Sequence, residues 1–78
     1  MDKKPLFIRA EWDEEAHVWV ATSDDVPGLA TEEEDFEGLI LKLRTMIPEL
    51  LALNGTGPGD VSFELLTRRF ETVECGCV

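Results

Sequence analysis

The sequence predicts a small α+β domain of order β-β-β-α-β, with an antiparallel sheet carrying one helix on one face. Three features predict it. Two short segments rich in β-branched and aromatic residues alternate on either side of a polar break near the N-terminus. A long run of apolar residues then recurs at helical spacing, and a further alternating segment follows an Asn-Gly stop. With 78 residues, 44% of them hydrophobic, the chain suits a single domain, 1–78, with a packed core. A domain of this size buries only a modest share of its surface, so support from self-association is expected.

Leu6 to Trp12 reads as the first strand, with Ile8, Ala10 and Trp12 on one face and Phe7, Arg9 and Glu11 on the other. Asp13-Glu14-Glu15-Ala16 is a break of hairpin-loop length. His17 to Ser23 reads as the second strand, with Val18, Val20 and Thr22 on one face and Trp19 and Ala21 on the other. Both of its faces are apolar, which a one-sided sheet does not require. Pro27 and Gly28 then impose a tight turn, because Pro lacks an N–H and Gly tolerates positive φ. A short third strand is expected over Leu29 to Glu32.

The helix begins at the N-cap Asp35, and Phe36, Leu39, Ile40, Leu43, Ile47, Leu50 and Leu51 form its apolar stripe. Glu33, Glu34, Asp35 and Glu37 lie at the positive end of its dipole. Asn54-Gly55 is a stop signal. Pro48 removes a bond to the carbonyl of Arg44, so a kink or break is expected there. After a loop at Thr56 to Asp60, Val61 to Thr67 alternates as a fourth strand.

Charge excludes several function classes. Seventeen acids face seven bases, a net charge of −10, which repels nucleic-acid backbones and anionic membranes. It favours a basic protein partner, or simply keeps the chain soluble. No apolar run approaches the ~20 residues that span a bilayer. The N-terminus has two lysines but no apolar stretch of signal-peptide length. A cytoplasmic location is therefore expected.

Chemistry-bearing residues are sparse. Glu11, Asp13, Glu37 and Glu64 come from different elements, as divalent-metal ligands often do, but no spaced metal motif is present and a solvated acidic face explains them as well. His17 has no nucleophile–acid pairing and reads as a surface strand residue. Cys75-Gly76-Cys77 offers half of a tetrahedral thiolate site, so a flexible tail over 75–78 is expected, with a metal shared between subunits as the other reading. No catalytic residue, resident metal or cofactor is assigned. Trp12 and Trp19 suit either the core or an interface.

The segment Trp19-Val20-Ala21-Thr22-Ser23-Asp24-Asp25-Val26-Pro27-Gly28-Leu29-Ala30-Thr31 resembles the signature of the HicB-like proteins. More closely, it is similar to their short stand-alone branch, carried as a domain of unknown function. In that pattern a hairpin ends in an Asp-aliphatic-Pro-Gly turn, and a short strand leads into a helix opening with a small polar cap, an apolar residue and a glutamate. Asp35, Phe36 and Glu37 match that opening. Met46-Ile47-Pro48-Glu49-Leu50-Leu51 resembles the end of the helix in the short branch. The resemblance covers roughly residues 6 to 66 and implies a truncated ribonuclease-H-like domain. It also implies an antitoxin that masks HicA, a small basic mRNA-cleaving toxin. The operator-binding segment of typical HicB chains has no counterpart after the fourth strand, so DNA binding is not expected.

The expected function is a non-catalytic interaction module of the HicB antitoxin type for a basic, RNA-targeting partner. Between Arg9 and Lys42 lie eleven acids and no Lys or Arg. Asp24, Asp25, Glu32, Glu33, Glu34, Asp35 and Glu37 are the expected partner-binding field, gathered near one end of the sheet. The alternatives are a vestigial metal-dependent ribonuclease-H-like enzyme and a small-ligand-binding homo-oligomer. One helix leaves one sheet face uncovered, so a homodimer or higher oligomer is expected through a sheet face or strand edge. Trp19 and Leu66 are its candidate contacts.

Overall fold

A computed structural model describes residues 5–55 and 59–76. Its elements follow the predicted order: β1 (Leu6–Asp13), β2 (Val18–Thr22), β3 (Ala30–Glu33), α1 (Phe36–Leu53) and β4 (Phe63–Arg68). They form one four-stranded sheet of order β3-β2-β1-β4. The sheet expected to be antiparallel is mixed. β1 and β3 pair antiparallel with β2, whereas β4 pairs parallel with β1. The reason is the helix: α1 carries the chain back along the sheet, so β4 starts beside Leu6 and runs with β1.

β2 starts at Val18 because His17 has φ 57, a left-handed conformation that ends the hairpin loop. Asp13 organises that loop. Its Oδ1 accepts from the N–H groups of Glu15 (3.0 Å) and Ala16 (3.1 Å), and its carbonyl accepts from His17 N–H at 2.8 Å. At the other end of β2, Leu29 N–H donates to Val26 O at 3.1 Å and Gly28 has φ 87. This is the predicted Pro27-Gly28 turn.

Asp35 caps α1, its Oδ2 accepting from Gly38 N–H at 3.0 Å. The helix ends as predicted at Asn54-Gly55, where Gly55 has φ 82 and Asn54 Nδ2 donates to Leu50 O at 2.8 Å. The break anticipated at Pro48 does not occur, and α1 is one helix through Leu53. Ile47 is buried before the proline, and Leu50 and Leu51 pack on the core after it, so packing outweighs the lost backbone bond.

The core lies between α1 and one sheet face. Ile8, Ala10, Ala21, Val26, Leu29, Leu39, Leu43 and Ile47 are buried. Burying a Leu or Ile side chain stabilises by about 1.5–3 kcal/mol. The register sets Ala10 opposite Ala21 and Ile8 opposite Leu65 on this face. The other face carries Phe7, Arg9, Glu11, Val18, Val20, Thr22, Glu64, Leu66 and Arg68, and no described element covers it. No described helix is long and apolar enough to cross a membrane.

Candidate interaction surface

The predicted acidic field divides between opposite ends of the sheet. Asp24 and Asp25 follow Thr22, which pairs with Ala30 at the start of β3; Glu33 pairs with Trp19 at its far end. The whole length of β3 separates the two groups, so the single field expected of them is not formed.

At the Asp24–Asp25 end the acids hold the fold. Asp25 Oδ2 accepts from Phe7 N–H at 2.8 Å, and Ser23 Oγ donates to Phe7 O at 2.5 Å. These two side chains extend the hydrogen bonding of β1 beyond the point where β2 ends. Ser23 Oγ also accepts from Asp25 N–H at 3.0 Å, fixing the loop. Asp24 lies 3.4 Å from the Arg9 guanidinium.

At the other end the carboxylates face solvent. Glu33 pairs with Lys42 Nζ at 3.1 Å, and the same ammonium donates to Glu32 O at 3.0 Å. Asp35 is engaged as the cap. The side chains of Glu32, Glu34 and Glu37 are exposed and make no ion pair among the described residues. The β1–β2 hairpin opens at this same end, adding Asp13, Glu14 and Glu15. Sequence reasoning left those three out of the field. The signal was present in the order β-β-β: β1 and β3 run the same way, so their C-terminal ends share one end of the sheet.

An aromatic chain joins the hairpin to the start of the helix. Trp12 meets Trp19 edge-on at 5.4 Å, and Trp19 meets Phe36 at 5.1 Å. Trp12 Nε1 donates to Glu14 Oε1 at 3.1 Å. The Arg69 guanidinium lies 4.4 Å from the Trp12 ring. His17 is exposed in the loop rather than within β2, its ring 5.8 Å from that of Trp12.

The two candidate oligomer contacts face opposite ways. Trp19 lies on the helix side and packs against the core, so it is not available to the open face. Its alternation with Val18 and Val20 was legible, but which set meets the helix was not. Leu66 is on the open face and 57% exposed.

The carboxylates considered as metal ligands are dispersed. Glu11 and Glu64 lie on the open face, Asp13 closes the hairpin, and Glu37 is in the first turn of α1. Among the described residues no group of three His, Cys, Asp or Glu side chains is placed to hold a metal ion. Cys75 is exposed; Cys77 lies outside the described residues.

A family model described as "Domain of unknown function (DUF1902)" matches residues 5–74. Among solved structures, the chain is similar to a hypothetical protein from the extremely thermophilic bacterium Thermus thermophilus. The two are 46% identical with a TM-score of 0.70, covering 92% of this chain and 100% of that one. None of the curated proteins matches. The comparisons thus bear out a domain of unknown function and give no support to membership of the HicB family.

Proposed function

The chain belongs to the family built on the domain of unknown function DUF1902, and we propose that it acts as a non-catalytic module that binds a basic protein partner. The observation that carries this reading is the crowding of carboxylates from two separate connections at one end of the sheet. Asp13, Glu14 and Glu15 come from the hairpin, and Glu32, Glu33, Glu34 and Glu37 from the entry to α1, with Lys42 held against Glu33. Such an end presents a negative potential that steers cationic surfaces toward it. A partner of the HicA type, whose basic surface engages RNA phosphates, would meet carboxylates in their place and be masked. Asp24 and Asp25 are not part of this surface, since they lie beyond the opposite end of β3.

The test begins with capture of the partner and proceeds to association kinetics with the purified pair. Replacing Glu32, Glu33 and Glu34 together with Lys should slow association by on the order of tenfold or more, as should raising the salt. The fold should tolerate the change, because the half-buried Glu33–Lys42 pair still reaches solvent and is worth only about 1 kcal/mol. A salt-insensitive association, or a contact mapped to the open sheet face, would defeat the proposal.

A further inference from the structure

Among the described residues no strand pairs with the outer edge of β4, which is the last strand in the order β3-β2-β1-β4. An uncovered edge presents a row of backbone donors and acceptors to any other strand. The chain does not turn away at the end of β4. Residues 69–76 contain no turn, bend or helix and are exposed throughout. They include Phe70 and Val73, which are 75% and 82% exposed. The strand alternation continues into this segment, for the Arg69 guanidinium lies over Trp12, on the helix side where an extended chain would point it. By the same alternation Phe70 falls on the open side with Leu66, and Val73 on the helix side with Phe63. The result is an extended arm with apolar side chains, contiguous with a bare strand edge.

We propose that residues 69–74 pair antiparallel with β4 of a second copy, about a twofold axis at Arg68, joining two sheets into one of eight strands. The two halves of this edge are complementary in that register. Leu66 stands opposite Phe70 of the second copy and Phe63 opposite its Val73, each contact made twice by symmetry. Sliding the register by two residues either way sets Phe70 against Glu64 or Arg68, so apolar matching selects one alignment. The two Arg68 side chains then meet at the axis. Each stands opposite Glu11 of its own β1 on the same face, so the row across the seam runs acid, base, base, acid, each arginine flanked by its own glutamate, and sums to zero charge. The net charge of −10 does not oppose this contact locally. The proposal is independent of the partner-binding reading and uses a different edge of the molecule.

Cysteine cross-linking tests the register directly, in a chain carrying Cys75→Ser and Cys77→Ser. Opposed residues of an antiparallel pair are about 4.5–5.5 Å apart at Cα, within the range of about 4.4–6.8 Å that a disulfide spans. Arg68→Cys should therefore give a covalent dimer on mild oxidation. Glu64→Cys should not link to itself but should link to Thr72→Cys when the two chains are mixed. Light scattering at high micromolar concentration should give twice the 8.8 kDa chain mass, halved by Phe70→Asp, a substitution at an exposed position outside the core. A monomeric parent would overturn the proposal. So would a dimer that survives Phe70→Asp, or one in which Arg68→Cys fails to cross-link.

Discussion

The two ends of the sheet carry the same kind of residue in different employment. At one, Asp25 and Ser23 supply hydrogen bonds to Phe7 where β2 has stopped, and Asp24 lies against Arg9. At the other, Glu32, Glu34 and Glu37 extend into solvent, and the carboxylates engaged with the backbone are those of Asp35 and Asp13. Asp is short enough to reach backbone groups near its own loop, whereas Glu holds its charge farther from the chain. A run of acids is therefore not one feature. The short carboxylates shape the connections, and the long ones set the field around them.

That contrast predicts a gradient of effects on stability. Asp25→Ala should cost the most, about 1–2 kcal/mol, because it leaves Phe7 N–H without its acceptor. The melting temperature should fall by roughly 4–16 °C for a domain of this size. Asp35→Ala comes next at about 1 kcal/mol, the usual loss for an N-cap; thermal melts should show a smaller drop, and Asp35→Ser should restore most of it. Glu34→Gln should stay within about 0.5 kcal/mol. A thermal shift for Glu34→Gln as large as that for Asp25→Ala would erase the distinction between the two ends. Destabilisation by Asp35→Ala alone would break it too, by confining structural use to the helix cap at the solvent-facing end.

Much of this was legible before any coordinates. Asp35, the Pro27-Gly28 turn and the Asn54-Gly55 stop each carry a local backbone requirement, and local requirements are written in adjacent residues. What was not legible depended on direction and distance. The parallel sense of β4 follows from where α1 delivers the chain, which the alternation of Val61, Phe63 and Leu65 does not encode. The separation of Asp25 from Glu33 required knowing that β3 lies between them as a spacer, although they are close in sequence. The intact helix at Pro48 reflects Ile47, Leu50 and Leu51 gripping the core on both sides of the proline. A rule about backbone bonds alone does not weigh that grip.

The strand β1 is completed on its two sides by very different parts of the chain. Its β2 side is filled by the hairpin that follows at once, whereas its β4 side waits for residues beyond the helix. Closing the longer loop costs more entropy, though each doubling of length adds only about 0.6 kcal/mol. During synthesis the first three strands and α1 emerge before β4 exists, so a nascent chain exposes the backbone flank of β1 at Leu6 and Ile8 until its last strand arrives. The order of assembly is thereby written into the topology: a meander gathers first, a helix settles on it, and the final strand seals the sheet.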